Sequence, residues 1–247
     1  MKIRSLIRKG SDHKVFCQDF MSVYEGQKFI IAGVFDGCST AYDKHENPIS
    51  QFASNLLAKV LDYCSINYGN LMLLSSEEFI SCYLAQFFKK LKNIKKELML
   101  EDDSLLSTAI ILFYNKENKS GYIYAFGDGV IQLDDELIVI DQNNFPKYPI
   151  LYIDELISSS LQLNFPDELV KIIYFENVNN VVISTDGVLT FRNSKEELDN
   201  NIPKDTLFQN TQMADLTKML ARHYNILKNK NWEHLDDLGM IRFIIDE

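Results

Sequence analysis

Residues 29–37 read FIIAGVFDG, an apolar run that ends at Asp36 and is followed by Gly37. Strand-forming and small apolar residues fill the run, which predicts a buried strand that delivers Asp36 to its end. Gly37 has no side chain, so a ligand can approach its backbone carbonyl closely. The pair therefore offers two oxygen ligands to one hard cation, although the stretch taken alone also fits a strand that ends in an Asp-Gly turn.

Two further stretches place carboxylates at the ends of apolar runs. The run VVIST leads into Asp186 and Gly187, whereas Asp236 and Asp237 stand just before the run GMIRFIID. If these strands are neighbours, their carboxylates gather at one rim of a sheet, where they raise each other's pKa unless a cation neutralises them. Oxygen-only ligands favour Mg²⁺ or Mn²⁺ over zinc. Two such ions can hold a phosphoryl group and activate water, which predicts hydrolysis of a phosphate ester.

The spacing of apolar residues predicts helices and strands in segregated groups. Amphipathic helices are expected in residues 49–64 and 75–98, the second opening with an S-x-x-E capping box. Residues 107–140 predict an antiparallel meander. Residues 141–168 predict an excursion over the sheet edge, where a substrate-facing flap could sit. Further strands are predicted in residues 3–7, 20–25, 169–176, 180–185 and 239–246, and further helices in residues 193–200 and 211–227.

Composition narrows the class of protein. The chain has 247 residues, which we interpret as one domain, and 25 Lys and Arg against 35 Asp and Glu. A formal net charge of -10 argues against binding to nucleic acid or to an anionic membrane surface. The four cysteines show no C-x-x-C pair and no zinc spacing, which fits a reducing compartment. The sequence shows no signal-peptide pattern and no run of about eighteen apolar residues, so we expect a cytoplasmic protein or one delivered by a route that leaves no such signal.

Six motifs in order, CQDF, VFDG, STA, GDG, STDG and LDDLGMI, lie between Cys17 and Ile241. Together they resemble the metal-dependent protein phosphatases of type 2C, and most of all the bacterial branch of that family. The resemblance implies an α+β fold over residues 1–247, a four-layer α-β-β-α sandwich with two antiparallel sheets and helices outside. It also implies a monomer that hydrolyses phosphoserine or phosphothreonine in proteins by a metal-activated water, with two Mg²⁺ or Mn²⁺ ions and a weaker third.

The resemblance assigns roles to individual residues. It implies that Asp36 bridges the two metals and that Gly37 gives its backbone carbonyl to one of them. Asp186 and Asp236 would bind the other metal. Asp19 would orient metal-bound water from outside the ligand set, where such partners fix ligand geometry.

Other assignments stay open between two residues or two roles. Asp103 matches the family's ligand for the third metal, but it lies in an acidic run that also fits solvated surface. Lys14 takes the place of a phosphate-binding arginine, and His13 competes with it for that contact. Asp237 competes with Asp236 as the ligand, and we prefer Asp236 because the family ligand is the first of the pair.

The chain also departs from the family pattern. Cys38 stands where many members carry a histidine acid, Gln18 replaces a glutamate, and Gly239 replaces a serine or threonine. Asp128, in the Gly-Asp-Gly turn, is expected to be structural because such turns need Asp for local hydrogen bonds. The departures motivate a second hypothesis, a pseudophosphatase that binds a partner with little turnover. A phosphatase for a small metabolite is a third, and regulation in any of them would come from a separate protein partner.

Overall fold

The computed structural model describes residues 1–38, 50–69, 75–143, 145–157, 165, 168–193, 207–208 and 219–245. Its strands are β1 (Lys2–Arg8), β2 (Phe20–Glu25), β3 (Phe29–Phe35), β4 (Ala109–Asn115), β5 (Ser120–Phe126), β6 (Gly129–Leu133), β7 (Glu136–Ile140), β8 (Lys171–Glu176), β9 (Asn180–Ser184), β10 (Phe191–Arg192), β11 (Glu233–His234) and β12 (Leu238–Ile244). Its α-helices are α1 (Ser50–Tyr68), α2 (Ser76–Glu97), α3 (Ile153–Leu156) and α4 (Met219–Asn229). Short 3-10 helices cover Asp102–Leu105, Pro149–Tyr152 and Asp186–Leu189. None of the described helices is long and apolar enough to cross a membrane.

Two five-stranded antiparallel sheets form the centre of the structure. One has the order β1-β12-β9-β6-β7 and the other β2-β3-β4-β5-β8, while β10 and β11 form a separate small pair. One apolar cluster fills the space between the two sheets. A second cluster joins α1 and α2 to the outer face of the β3 sheet, and a third joins α4 to the outer face of the β9 sheet. The predicted four-layer α-β-β-α sandwich is confirmed.

Strand β3 is buried along its whole length because both faces of its sheet are covered. Side chains alternate between the faces of a strand. Ile30 and Val34 therefore pack between the sheets, whereas Ile31 and Phe35 pack against the helices. This double burial explains why the sequence shows a continuous apolar run instead of an alternating one.

The two long helices lie where the apolar spacing predicts them. The capping box at the start of α2 is present, because the Glu78 backbone N–H donates to Ser75 Oγ at 3.3 Å. In return, the Ser75 backbone N–H donates to Glu78 Oε2 at 3.1 Å. Both groups would otherwise lack intrahelical partners, so the box fixes where the helix begins. Helix α1 runs to Tyr68, four residues further than predicted.

The predicted meander is wrong in one respect, because it does not stay in one sheet. Strands β4 and β5 pair in one sheet and β6 and β7 in the other, with the crossing at Gly127-Asp128-Gly129. Gly127 has a φ of +83°, a conformation that glycine adopts without penalty. Strand β8 pairs with the edge of β5 that a continuing meander would use. Strand β6 therefore lies in the other sheet, where it pairs with β9.

The remaining predicted elements divide into two groups. The five further strands are all present, within two residues of their predicted bounds. The predicted excursion contains, in its described part, the 3-10 helix Pro149–Tyr152 and α3. The helix predicted in 211–227 is present as α4 from Met219, and its residues 211–218 lie outside the described residues. The helix predicted in 193–200 lies outside them too, apart from Asn193, which is not helical.

Candidate metal centre

Antiparallel pairing brings Asp19 and Asp36 to the same rim of one sheet. Asp36 follows the end of β3, and Asp19 precedes the start of β2. In this pair of strands Phe20 lies opposite Phe35, so the two carboxylates must be neighbours. The register of a single hairpin therefore places both residues.

Antiparallel pairing in the opposing sheet likewise brings Asp186 and Asp236 to this rim. Asp186 follows β9, Asp236 comes two residues before β12, and these strands pair antiparallel with Met240 opposite Ser184. The condition that the three strands are neighbours in one sheet holds only for β9 and β12, because β3 belongs to the other sheet. The carboxylates gather at a rim shared by the two facing sheets.

A cavity of about 260 Å³ opens at this rim. Four of the predicted site residues line it: Asp36, Gly37, Asp186 and Asp236. Its other described lining residues are Gln18, Cys38, Thr108, Asp128, Pro146 and Tyr148. The four residues predicted to hold the two metals therefore lie together. Asp103, the candidate ligand for a third metal, is not among the described lining residues.

Asp19 lies beneath the cavity, with only 1% of its surface exposed. The Thr185 hydroxyl donates to Asp19 Oδ2 at 2.7 Å, and the Gly239 backbone N–H donates to Thr185 Oγ1 at 2.9 Å. Apart from the adjacent Asp36 carboxyl, Asp19 Oδ1 has no hydrogen-bond partner among the described residues although it is buried. A buried carboxylate oxygen whose one neighbour is another carboxyl group would be stabilised by a bound cation or a water molecule. Sequence reasoning missed Thr185 because a threonine before Asp-Gly carries no pattern of its own.

Burial and mutual repulsion make these carboxyl groups difficult to ionise. Burial, with the charges of Asp19, Asp186 and Asp236 added, raises the pKa of Asp36 well above its usual value. Burial and the charge of Asp236 raise the pKa of Asp186 to about 6. Burial raises the pKa of Asp19 as well, against the opposite effect of the hydrogen bonds from Thr185 and Asp36. A bound cation would reverse these shifts, because it stabilises the ionised form.

The donor set fits a hard divalent cation better than any other ion. The four lining residues at the strand ends offer carboxylate and backbone carbonyl oxygens, with no histidine among the described lining residues. No three His, Cys, Asp or Glu side chains in the described part of the chain are already gathered closely enough to hold an ion. Mg²⁺ binds through one or two carboxylates and keeps several waters, so it does not need such a preformed group.

The structure separates the two neighbouring carboxylates Asp236 and Asp237. Asp237 is 1% exposed, accepts hydrogen bonds from the backbone N–H groups of Gly10 (2.6 Å) and Gln18, and lies 2.6 Å from His13 Nδ1. Asp236 lines the cavity instead, and its Oδ1 accepts a hydrogen bond from the Asp237 backbone N–H at 2.8 Å. Asp237 thus holds the turn before β2 in place, and Asp236 faces the space in which a metal is predicted.

Lys14 and Asp103 lie outside the described lining of this cavity. Lys14 is exposed, and its carbonyl accepts a hydrogen bond from Lys9 Nζ at 3.2 Å. Asp103 is exposed on the 3-10 helix Asp102–Leu105. His13, the competitor for the phosphate contact, pairs with Asp237 and has its Nε2 3.5 Å from Asp236 Oδ1. The phosphate-binding and third-metal roles of these residues stay predictions.

Gly37 is held tightly between two elements. It forms an isolated bridge with Ser107, and the Thr108 backbone N–H donates to the Asp36 carbonyl at 2.9 Å. A Cβ atom at Gly37 would lie 2.1 Å from the carbonyl oxygen of Ser50, the first residue of α1. The close approach of the helix start therefore requires glycine here.

Gly37→Ala is expected to lower the free energy of unfolding by about 1–3 kcal/mol, because the backbone at Ser50 must move to admit the methyl group. Denaturant unfolding of the metal-free protein measures the loss. Gly239→Ala is the matched control, since its added carbon meets nothing nearer than 3.3 Å, and it should cost less. An equal loss in both variants would contradict the packing argument.

Structural comparison finds solved structures that share this architecture. A serine/threonine phosphatase of S. agalactiae superposes with a TM-score of 0.63 at 13% identity, covering 99% of both chains. Stp1 from Staphylococcus aureus, also a serine/threonine phosphatase, gives a TM-score of 0.61 at 11% identity, covering 100% of this chain and 95% of the other. The chain has the type 2C phosphatase fold.

RsbX, whose structure was solved in complex with magnesium, shares the type 2C fold of this chain with a TM-score of 0.53 at 17% identity. The match covers 99% of this chain and 96% of RsbX. No protein-family model and no curated protein matches the sequence. The fold that the six motifs imply is thus confirmed by structure, at sequence identities of 11–17%.

Proposed function

We propose that this protein is a divalent-metal-dependent phosphatase that removes phosphate from phosphoserine or phosphothreonine in proteins. One observation carries the proposal: Asp36, Asp186 and Asp236 reach one cavity from three elements of two sheets, with Asp19 buried beneath them. Carboxylates that repel one another are kept together at an energetic cost, and a bound cation removes that cost. The magnesium complex of RsbX and the phosphatase activity of the other relatives support the same conclusion.

Two Mg²⁺ or Mn²⁺ ions would be held by Asp36, the Gly37 carbonyl, Asp186 and Asp236. When bound, they supply charge that stabilises the phosphoryl group and activates water for attack. Of the protein residues, Asp36 and Asp186 would fix the metal positions, and the Thr185 hydroxyl keeps Asp19 oriented. The hydrogen bonds that fix Asp19 lie outside the ligand set, where they determine its geometry.

A pseudophosphatase is the second candidate, and one feature of the cavity favours it. None of its described lining residues is Lys or Arg, and Cys38 occupies a lining position beside Gly37. Within this described lining, a phosphate dianion would rely on metals and neutral donors for binding. Such a cavity suits recognition of a phosphorylated partner with slow or no turnover.

The first experiment measures phosphate release from a phosphoserine peptide and from p-nitrophenyl phosphate as Mn²⁺ or Mg²⁺ is titrated. We expect turnover that rises with metal and disappears with a chelator, because the carboxylates need a cation to act together. Calorimetric metal titration of the same protein measures the affinity for the metal independently of turnover.

The outcomes separate the candidates. Metal binding with peptide turnover supports the phosphatase, and metal binding without release from any substrate supports the pseudophosphatase. Turnover confined to a panel of small phosphorylated metabolites would move the substrate class away from proteins. Absence of metal binding would overturn the proposed centre itself.

A further inference from the structure

The segment after β7 forms one wall of the cavity and contributes Pro146 and Tyr148 to its lining. The Tyr148 hydroxyl is hydrogen-bonded to the side chain of Cys38, which also lines the cavity. Burial, together with this contact, raises the pKa of Tyr148, so the phenol keeps its proton. A protonated donor therefore stands at the wall next to Asp36-Gly37.

The partner of Tyr148 is a weak one. A thiol sulfur is a poor hydrogen-bond acceptor, so a phenol that donates to it gains little. Hydrogen bonds to a charged oxygen are about twice as strong as neutral ones. A phosphoryl oxygen that enters the cavity would therefore take the Tyr148 hydroxyl from Cys38.

The backbone that carries Tyr148 is fixed by a chain of hydrogen bonds. Asp128 Oδ1 accepts from the Gln142 backbone N–H at 2.7 Å, and Gln142 Oε1 accepts from the Lys147 backbone N–H at 2.6 Å. The Tyr148 carbonyl accepts from the Leu151 backbone N–H at 3.1 Å, at the start of the 3-10 helix. Because Asp128 itself lines the cavity, the same residue joins this segment to the floor of the site. A donor held in this way pays little ordering cost when a ligand binds.

The described lining of the cavity contributes negative charge and no cationic side chain. Its described lining residues include four carboxylates and no Lys or Arg. Lys14, predicted as the phosphate contact, is exposed outside the lining. Within this described lining, phosphate binding would depend on metals and on neutral groups such as Tyr148.

We propose that the Tyr148 hydroxyl binds a phosphoryl oxygen of the substrate in place of a basic side chain. This inference rests on the proposed function to the extent that the cavity takes a phosphate ester. Tyr148 lies outside the six sequence motifs. Through Tyr148, the segment predicted as a substrate-facing flap would contact the phosphoryl group of the substrate.

The test compares Tyr148→Phe with the wild type in binding phenylphosphonate, a phosphate-ester analogue that is not hydrolysed, to the Mg²⁺-loaded protein by calorimetry. We expect Kd to rise about tenfold, and kcat/KM for p-nitrophenyl phosphate to fall about 10- to 100-fold, because one donor to a charged oxygen is lost. Tyr152→Phe is the matched control, since Tyr152 ends the same 3-10 helix and does not line the cavity. It should leave both values unchanged, and the Kd for Mg²⁺ should be the same in all three proteins.

Equal phenylphosphonate affinity in Tyr148→Phe and the wild type would overturn the inference, as would an equal loss in Tyr152→Phe. A wild type that binds no phenylphosphonate would overturn it as well. If the wild type binds the analogue but hydrolyses no substrate, the proposed phosphatase function fails, and the comparison of Kd values still decides the role of Tyr148.

Discussion

Asp36→Asn is expected to lower kcat/KM for p-nitrophenyl phosphate by about 10³-fold or more, or about 4 kcal/mol of transition-state stabilisation. Asp36 is the one carboxylate predicted to contact both metals, and its amide would be a weaker ligand for each. The folded state should persist, because Asn has almost the same shape. Steady-state kinetics at saturating Mn²⁺, with far-UV circular dichroism, measures both quantities.

The same substitution has a second consequence that a merely inactive enzyme would not show. Burial and neighbouring charge raise the pKa of Asp36, so the metal-free wild type loses stability as the pH rises through that pKa. Removing the ionisable group removes this penalty. At pH 7.5 without metal, the Tm of Asp36→Asn should therefore equal or exceed that of the wild type, and the difference should shrink as the pH is lowered to about 4.

Metal should reverse the order of stability. A ligand at one hundred times its Kd stabilises a folded protein by about 2.7 kcal/mol, and Asp36→Asn should lose most of that gain. Asp135→Asn is the matched control, because Asp135 is exposed in the turn at the far end of β6. It should behave as the wild type with and without metal. Wild-type turnover or wild-type metal stabilisation in Asp36→Asn would refute the assignment.

The strand ends could be predicted from the sequence because they depend on local pattern. The apolar runs before Asp36 and Asp186 needed no partner to be recognised, and the run after Asp237 was equally clear. The fold came from motif order, and structural comparison bears it out. Local pattern also set apart residues 141–168, the segment that contributes Tyr148 to the cavity.

Non-local pairing could not be predicted in the same way. Nothing in Gly127-Asp128-Gly129 distinguishes a hairpin turn from a crossing between sheets, because the answer depends on β8 occupying the edge of β5. Thr185 reaches Asp19 only because two sheets face each other. Tyr148 and Cys38 meet for the same kind of reason, 110 positions apart in the sequence.

Asp236 and Asp237 illustrate how neighbouring residues of the same type acquire different roles. Successive side chains point in different directions, so one can face a cavity while the other faces the interior. Asp237 satisfies the backbone N–H groups of Gly10 and Gln18, which the chain buries beside the start of β2. Asp236 has 39% of its side chain exposed and faces the cavity.

Substituting each of the pair with asparagine should therefore affect two different measurements. Asp237→Asn is expected to lower the free energy of unfolding by about 2–4 kcal/mol, because the new amide group cannot accept from both Gly10 and Gln18. Asp236→Asn should leave metal-free stability within about 0.5 kcal/mol and should weaken metal binding and turnover instead. Urea unfolding without metal and calorimetric Mn²⁺ titration of both variants measure the contrast. If Asp237→Asn loses metal affinity while Asp236→Asn loses stability, the two roles are exchanged, and Asp237 is the ligand.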